Sequence, residues 1–277
     1  MKGKKIRQFA FETAGILFTI AAFWVPFYFI IVNASKDIQE SSLLNLSLPS
    51  AFHIWDNIKT VIAARDYMLI RAFFNSTVLT VVSIAILVIL CAMAGYVLQR
   101  RTDRATPVFN FLILAGLIIP PAIVPTIWVM DSLGIFKTLF GLILVEVALG
   151  FPFAVLLYKG FLAAIPRELD EAAVIDGCGG IRLFFGIILP LLQPVTATVI
   201  VLSSVTIFND FTNPLYFLPG SDNVTVQLTL YNFQSQYVTQ YNLLFTNILL
   251  ITIPPLVLFL IFNKRIVAGM TAGSVKG

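Results

Sequence analysis

EAAVIDGCGGIRLFFGIILP, residues 171–190, is the stretch on which the reading of this chain turns. Just upstream, Pro166 can open a helix, because proline is tolerated in the first turn, where its missing N–H would have no partner anyway. Glu168, Asp170 and Glu171 then fall near the positive end of the helix dipole. Leu169, Ala172, Ala173 and Asp176 share one face by the i, i+3, i+4 rule, and the paired alanines leave that face shallow enough for another protein to come close. Gly177, with Gly179 and Gly180 behind it, suits the left-handed residue that ends a helix. The spacing predicts a short acidic helix over residues 166–177, roughly 16 Å long at 1.5 Å per residue. A proline-bearing apolar run follows it, and so much polar sequence between apolar runs implies a soluble partner to receive it.

Composition explains why the surroundings are apolar. With 58% hydrophobic residues, 12% charged residues and a mean hydropathy of +0.93 over 277 residues, the chain is an all-α integral membrane protein. Apolar runs near the roughly 20 residues that a spanning helix needs lie at 9–32, 74–98, 108–130, 139–161, 185–208 and 243–262, predicting six transmembrane helices. The first run is too long for the apolar core of a secretory signal, so it is read as a retained span, with Glu12 near its cytoplasmic end in a structural role. Thirteen Lys and Arg residues fall before the first span, after the second, between the fourth and fifth, and at the end. Five, Lys36, Lys59, Arg65, Arg71 and Lys137, fall on the other side. By the positive-inside rule both termini and the acidic helix are cytoplasmic.

Here a resemblance enters. Glu171, Ala172, Ala173, Gly177, Ile187, Leu189 and Pro190 fill the fixed places of E-A-A, three residues, G, nine residues, I, one residue, L-P. That pattern resembles the cytoplasmic coupling motif of ABC importer permeases, and Asp176, Phe184 and Pro194 agree with its sugar-importer version. Cys178 stands where relatives usually carry alanine. Asn75-Ser76, the run 133–144, FNDFTNPLYFL at 208–218 and the tail MTAGSVKG at 270–277 are similar to the carbohydrate-importer branch, the tail in particular to the maltose-transporter G-type subunit. Lys137, Thr212 and Ser274 depart from it.

The resemblance implies a type I ABC importer permease fold over residues 1–277 as a single transmembrane permease domain in a bacterial or archaeal cytoplasmic membrane. It also implies a second, F-type permease, a homodimeric ABC ATPase and an extracellular solute-binding protein as partners. ATP and Mg would bind on that ATPase, the tail around Gly273, Ser274 and Lys276 would reach toward it, and the sugar is held mainly by the partner permease. No Gly-x4-Gly-Lys-Ser/Thr phosphate loop occurs, so the chain itself does not cradle ATP in that manner. One histidine, His53, and two distant cysteines, Cys91 and Cys178, argue against zinc, disulfide or clustered catalytic chemistry. No nucleic-acid partner is expected. Without membrane acids paired to a basic residue, or an evident inverted repeat, a secondary carrier is the weaker reading.

Within the spans, Glu146 is the one deep carboxylate, and it should face protein or water. It is read either as a polar group on a translocation path or as a bond to a neighbouring helix or subunit. Ser203, Ser204, Thr206 and Asn209 carry the same two readings, since hydroxyls in a membrane helix also bond their own backbone. Prolines 120, 121, 125, 152, 190, 194, 254 and 255 predict bent spans. The segment before the second span, with His53 and Trp55, has the mixed order of an interfacial helix, and residues 209–242 form a long outer loop placed to meet a substrate carrier. The expected solute is an oligosaccharide, with an α-galactoside of the raffinose type as leading candidate. A glycerol phosphodiester on the same architecture is the alternative.

Overall fold

Every regular element among the described residues is helical. The computed structural model describes residues 2–220, 222–234 and 239–272. The residues divide into two units, Met1–Arg71 with Val226–Ile253 and Ala72–Thr225 with Pro254–Gly277.

The first unit begins with α1 (Lys2–Thr19), which runs through a π-turn at Ile20–Trp24 into α2 (Val25–Ala34). The apolar stretch Phe11–Ala34 is exposed along most of its length, and only its far end, Val32 to Ala34, is buried. At that end a polar network closes the helix. Asn57 Nδ2 donates to the carbonyls of Ala34 and Lys36, 2.9 Å each, while Thr246 Oγ1 reaches the Ala34 carbonyl at 3.2 Å. These bonds satisfy carbonyls that the last turn of a helix leaves without partners. A short α3 (Ile38–Ser42) follows, capped by Asp37, whose side chain accepts from Glu40 N at 2.7 Å.

The helix α4 (Ile54–Arg100) crosses from one unit into the other along the chain and is interrupted inside the first. Ala64 is extended, and Arg65, Asp66 and Tyr67 sit in the left-handed region at φ 48°, 54° and 58°. The segment expected to lie in the interface is therefore helical from Ile54 but turns before the second apolar run begins.

In the second unit, the third expected span is not one helix. It divides into α5 (Thr106–Ile118) and α6 (Ile123–Ser132), bent by 115°. Ile119 stands before Pro120 and is extended at ψ 122°, because proline crowds a preceding residue out of the helical region. The fourth expected span is α7 (Leu139–Leu162), which carries Pro152 without a break. Next come α8 (Glu168–Ile175), α9 (Gly180–Leu183), a π-turn at Phe184–Ile188, and α10 (Leu189–Leu191). Then α11 (Gln193–Phe208) turns by 75° from the preceding run, so the fifth expected span is also broken, close to Pro194, whose nitrogen cannot donate. The outer loop is not wholly irregular: it contains α12 (Thr212–Phe217) and a 3-10 segment, Gln227–Phe233, before α13 (Tyr241–Ala272).

By length and composition three described helices can cross a membrane, or five if each bent pair counts as one span; the apolar part of α13, Tyr241–Val257, is shorter. The second unit's core is centred on Tyr158, fully buried, whose hydroxyl pairs with Thr196 Oγ1 at 3.0 Å. Around it pack Leu87, Cys91, Val155, Leu162, Ala173 and Ile188. A Cβ at Gly95 would lie 2.8 Å from the Tyr158 Cβ, so α4 and α7 approach this closely only because that residue is glycine. Cys91 and Cys178 are both free thiols.

Candidate functional site

The acidic helix forms where the sequence predicts it, shorter at both ends, as Glu168–Ile175. Its start is held by the last residue of α4. The Arg100 guanidinium donates to the Ile165 carbonyl at 3.1 and 3.2 Å, and its Nε lies 2.5 Å from Asp170 Oδ2. Both side chains are largely enclosed, at 13% and 16% exposure, and neither Arg100 Nε nor Asp170 Oδ1 makes a well-directed hydrogen bond, so the contact is ionic in character. Arg167 donates to the Gln99 carbonyl at 3.2 Å.

The far end is a Schellman closure. Gly177 N bonds Val174 O at 3.0 Å, Cys178 N bonds Ala173 O at 2.9 Å, and Gly177 has φ 80°. Both ends of α8 are thus pinned.

The motif residues divide by environment. Glu171, Ala172, Asp176, Gly177 and Pro190 are exposed, whereas Ala173 is buried in the unit's own core and Ile187 and Leu189 pack against that core. The two alanines therefore do not form one shared docking face; Ala173 lets α8 sit close to its own chain. What α8 offers outward is apolar as well as acidic. Ile175 is 84% exposed, and Val174 and Ile181 are exposed beside it. Ile175 and Ile181 are not among the fixed positions of the E-A-A pattern, and only their apolar character next to the glycine stop could have singled them out. A concavity of about 490 Å³ lies here, with Tyr96, Arg167, Glu171 and Ile175 among its lining residues. The tail residues Gly273, Ser274 and Lys276 lie outside the described residues.

Of the residues suggested for a path, Glu146 and Ser203 come together and Asn209 does not. A cavity of about 400 Å³ is lined by Glu146, Gly150, Ser203, Thr206, Asp210 and Asn213, with apolar neighbours. Asn213 Nδ2 donates to Glu146 Oε1 at 3.2 Å, and the Asp210 carboxyl lies against that of Glu146. Asp210 Oδ1 also accepts from the backbone N–H of Thr212 at 2.8 Å and of Asn213 at 3.3 Å, which fixes the turn into α12. Asn209 is exposed at the end of α11 and does not line this cavity. Ser204 is buried with its hydroxyl on the Ile200 carbonyl, and Thr206 bonds the Leu202 carbonyl, as membrane hydroxyls commonly do. Sequence reasoning overlooked Asp210 and Asn213. The spacing 203, 206, 210, 213 was the available signal, one helical face running past the end of α11.

Outside the spans, Asp103 accepts from the Thr106 hydroxyl at 2.9 Å and from Thr106 N at 3.1 Å, and the Thr106 hydroxyl chiefly holds its carboxyl below the usual carboxylate range.

The profile of the family described as "Binding-protein-dependent transport system inner membrane component" matches residues 93–272, which include α8 and the polar residues of the cavity. The chain belongs to that family. This permease is 33% identical over 279 residues to the "Probable starch degradation products transport system permease protein AmyC" of Thermoanaerobacterium thermosulfurigenes, covering the whole of both chains. It is 30% identical over 281 residues to the "Melibiose/raffinose/stachyose import permease protein MelC" of Bacillus subtilis (strain 168), again over the whole of both. Among solved structures it is similar to a chain of a bacterial ABC transporter involved in the import of the acidic polysaccharide alginate. That match has a TM-score of 0.81 and 17% identity, and covers 95% of this permease and 98% of that chain, a likeness of fold. The permease is a multi-pass component of the inner membrane.

Proposed function

We propose that this permease is one of two membrane subunits of an ATP-driven, binding-protein-dependent oligosaccharide importer, providing half of the path and coupling it to an ATPase on separate chains. The observation that carries the reading is α8: a short helix pinned at both ends, presenting exposed Ile175 and Val174 among Glu171 and Asp176. A helix held by Arg100 at one end and a glycine closure at the other moves as a body, and its motion passes to the core through Ala173, Ile187 and Leu189.

Nucleotide then acts by favouring one conformation through differential binding energy. ATP and Mg bind the homodimeric ATPase, the second permease is of the F type, and an extracellular solute-binding protein delivers the sugar. Six spans with both termini in the cytoplasm place α8 on the ATPase side, and the tail around Gly273, Ser274 and Lys276 extends toward the same partner. The relatives named for starch products and for melibiose, raffinose and stachyose support an oligosaccharide, with raffinose-type galactosides first to try. The cavity with Glu146 and Ser203 is part of the path.

The test uses the assembled importer in proteoliposomes. Glu171→Ala and Gly177→Asp are expected to lower sugar-stimulated ATP hydrolysis and uptake together. Wild-type rates in both variants, with ATPase association unchanged, would remove α8 from the coupling role.

A further inference from the structure

The cavity between α7, α11 and the turn into α12 has a charge character that the importer reading does not require. We propose that Glu146 and Asp210 make this subunit a charge filter, admitting neutral polyhydroxylated solutes and turning away anionic ones such as uronate oligosaccharides. The inference rests on the importer reading and concerns the part of the path within this chain.

Three observations carry it. First, the site is built: Glu146 is only 5% exposed, Asn213 Nδ2 holds its Oε1 at 3.2 Å, and Asp210 is fixed by two backbone N–H groups at 2.8 and 3.3 Å. These carboxyls have little freedom to swing away from a solute. Second, none of the residues lining the cavity is Lys, Arg or His. A uronate entering would meet two carboxyl groups and no counter-charge in surroundings where Coulomb repulsion is poorly screened. Third, the remaining lining suits a neutral sugar. Carboxyl, carboxamide and hydroxyl groups exchange hydrogen bonds with ring hydroxyls, Phe153 and Leu149 offer apolar surface to ring C–H faces, and about 400 Å³ lies within the size range of small-molecule sites.

The experiment measures binding to the assembled complex in nanodiscs, without the solute-binding protein, so that selection by that protein cannot intervene. The probes are radiolabelled raffinose (neutral), trigalacturonate (anionic) and chitosan trimer (cationic). The wild-type complex should prefer raffinose to trigalacturonate by about 10-fold or more, a margin within reach of an unscreened like charge. Glu146→Gln with Asp210→Asn should shrink that ratio at least several-fold. Should the double variant fail to assemble, Thr206→Lys, on the exposed side of the cavity, tests the same point by adding a cation and should raise trigalacturonate binding.

Binding of the chitosan trimer at least as tight as that of raffinose would support the negative character of the site, whereas equal binding of the neutral and anionic probes by wild type, a ratio unmoved by both sets of changes, or no binding of any probe would each overturn the filter. The importer reading is judged separately, by ATP-driven uptake with the binding protein present, so either can fail while the other stands.

Discussion

Lys36 is 1% exposed and has no carboxylate partner among the contacts of its ammonium group. Its three N–H bonds go to Asn33 Oδ1 at 3.3 Å, Asn45 O at 3.1 Å and Asn45 Oδ1 at 2.7 Å. The ammonium therefore acts as a three-way clasp between the end of α2 and the following loop. Lys36→Met should cost about 1–3 kcal/mol by leaving the buried Asn33 Oδ1 unpaired, since Asn45 keeps its bonds from Ser47 and Asn33, read as a lower thermal midpoint of the purified complex; an unchanged midpoint would mean that water replaces the clasp.

Asp103 gives a pH-dependent counterpart. Its carboxyl is lowered from an ordinary value of 3.8 by the Thr106 hydroxyl, so its contribution is fully present above that value and lost as the pH falls through the lowered one. Asp103→Asn should keep the bond to Thr106 N, because asparagine accepts equally well there, while removing this acid-dependent part of the stability curve. A curve below pH 4 identical to wild type would refute the assignment.

Among the elements, α8 was the most legible, because its ends are written in residue types. Pro166 and the acids mark a start and Gly177 a stop, and these signals act locally. Gly177 has φ 80° and nothing within 4 Å of a built Cβ, so Gly177→Ala should cost about 1–2 kcal/mol through backbone strain alone. Gly179, extended at φ −70°, should tolerate alanine with little change. A thermal comparison of the two variants checks this, and equal midpoints would count against it.

The break in α4 was not legible. Arg65, Asp66 and Tyr67 are ordinary residues in a left-handed turn, and only packing around them can impose such a conformation. Replacing Arg65 by glycine should raise the midpoint, by about 1 kcal/mol of relieved strain; a fall would show that the Arg65 side chain itself holds the turn.

For the whole molecule, charge asymmetry predicts which ends face the cytoplasm, and labelling can test it. Cys178 is half-buried next to α8 and Cys91 is buried, so an impermeant maleimide should reach Cys178 only from the cytoplasmic side of membrane vesicles. A Leu48→Cys variant, at an exposed position in the loop after α3, should label only from the opposite side. Labelling of both from one side would overturn the six-span topology.

Composition and the run of residues 171–190 determined the membrane class, the helical architecture and the position of the pinned helix, because hydropathy, caps and glycine stops act between neighbours in the chain. The prolines marked where bends could fall, but tertiary structure alone decided that the third and fifth expected spans break, by 115° and 75°, while α7 carries Pro152 unbroken, and that Ala173 turns inward while Ile175 turns outward. It alone placed Glu146 against Asp210 and Asn213, more than sixty residues along the chain. Two carboxyls so distant in sequence meet only when packing of the helices that carry them brings them together, and no local signal encodes that meeting.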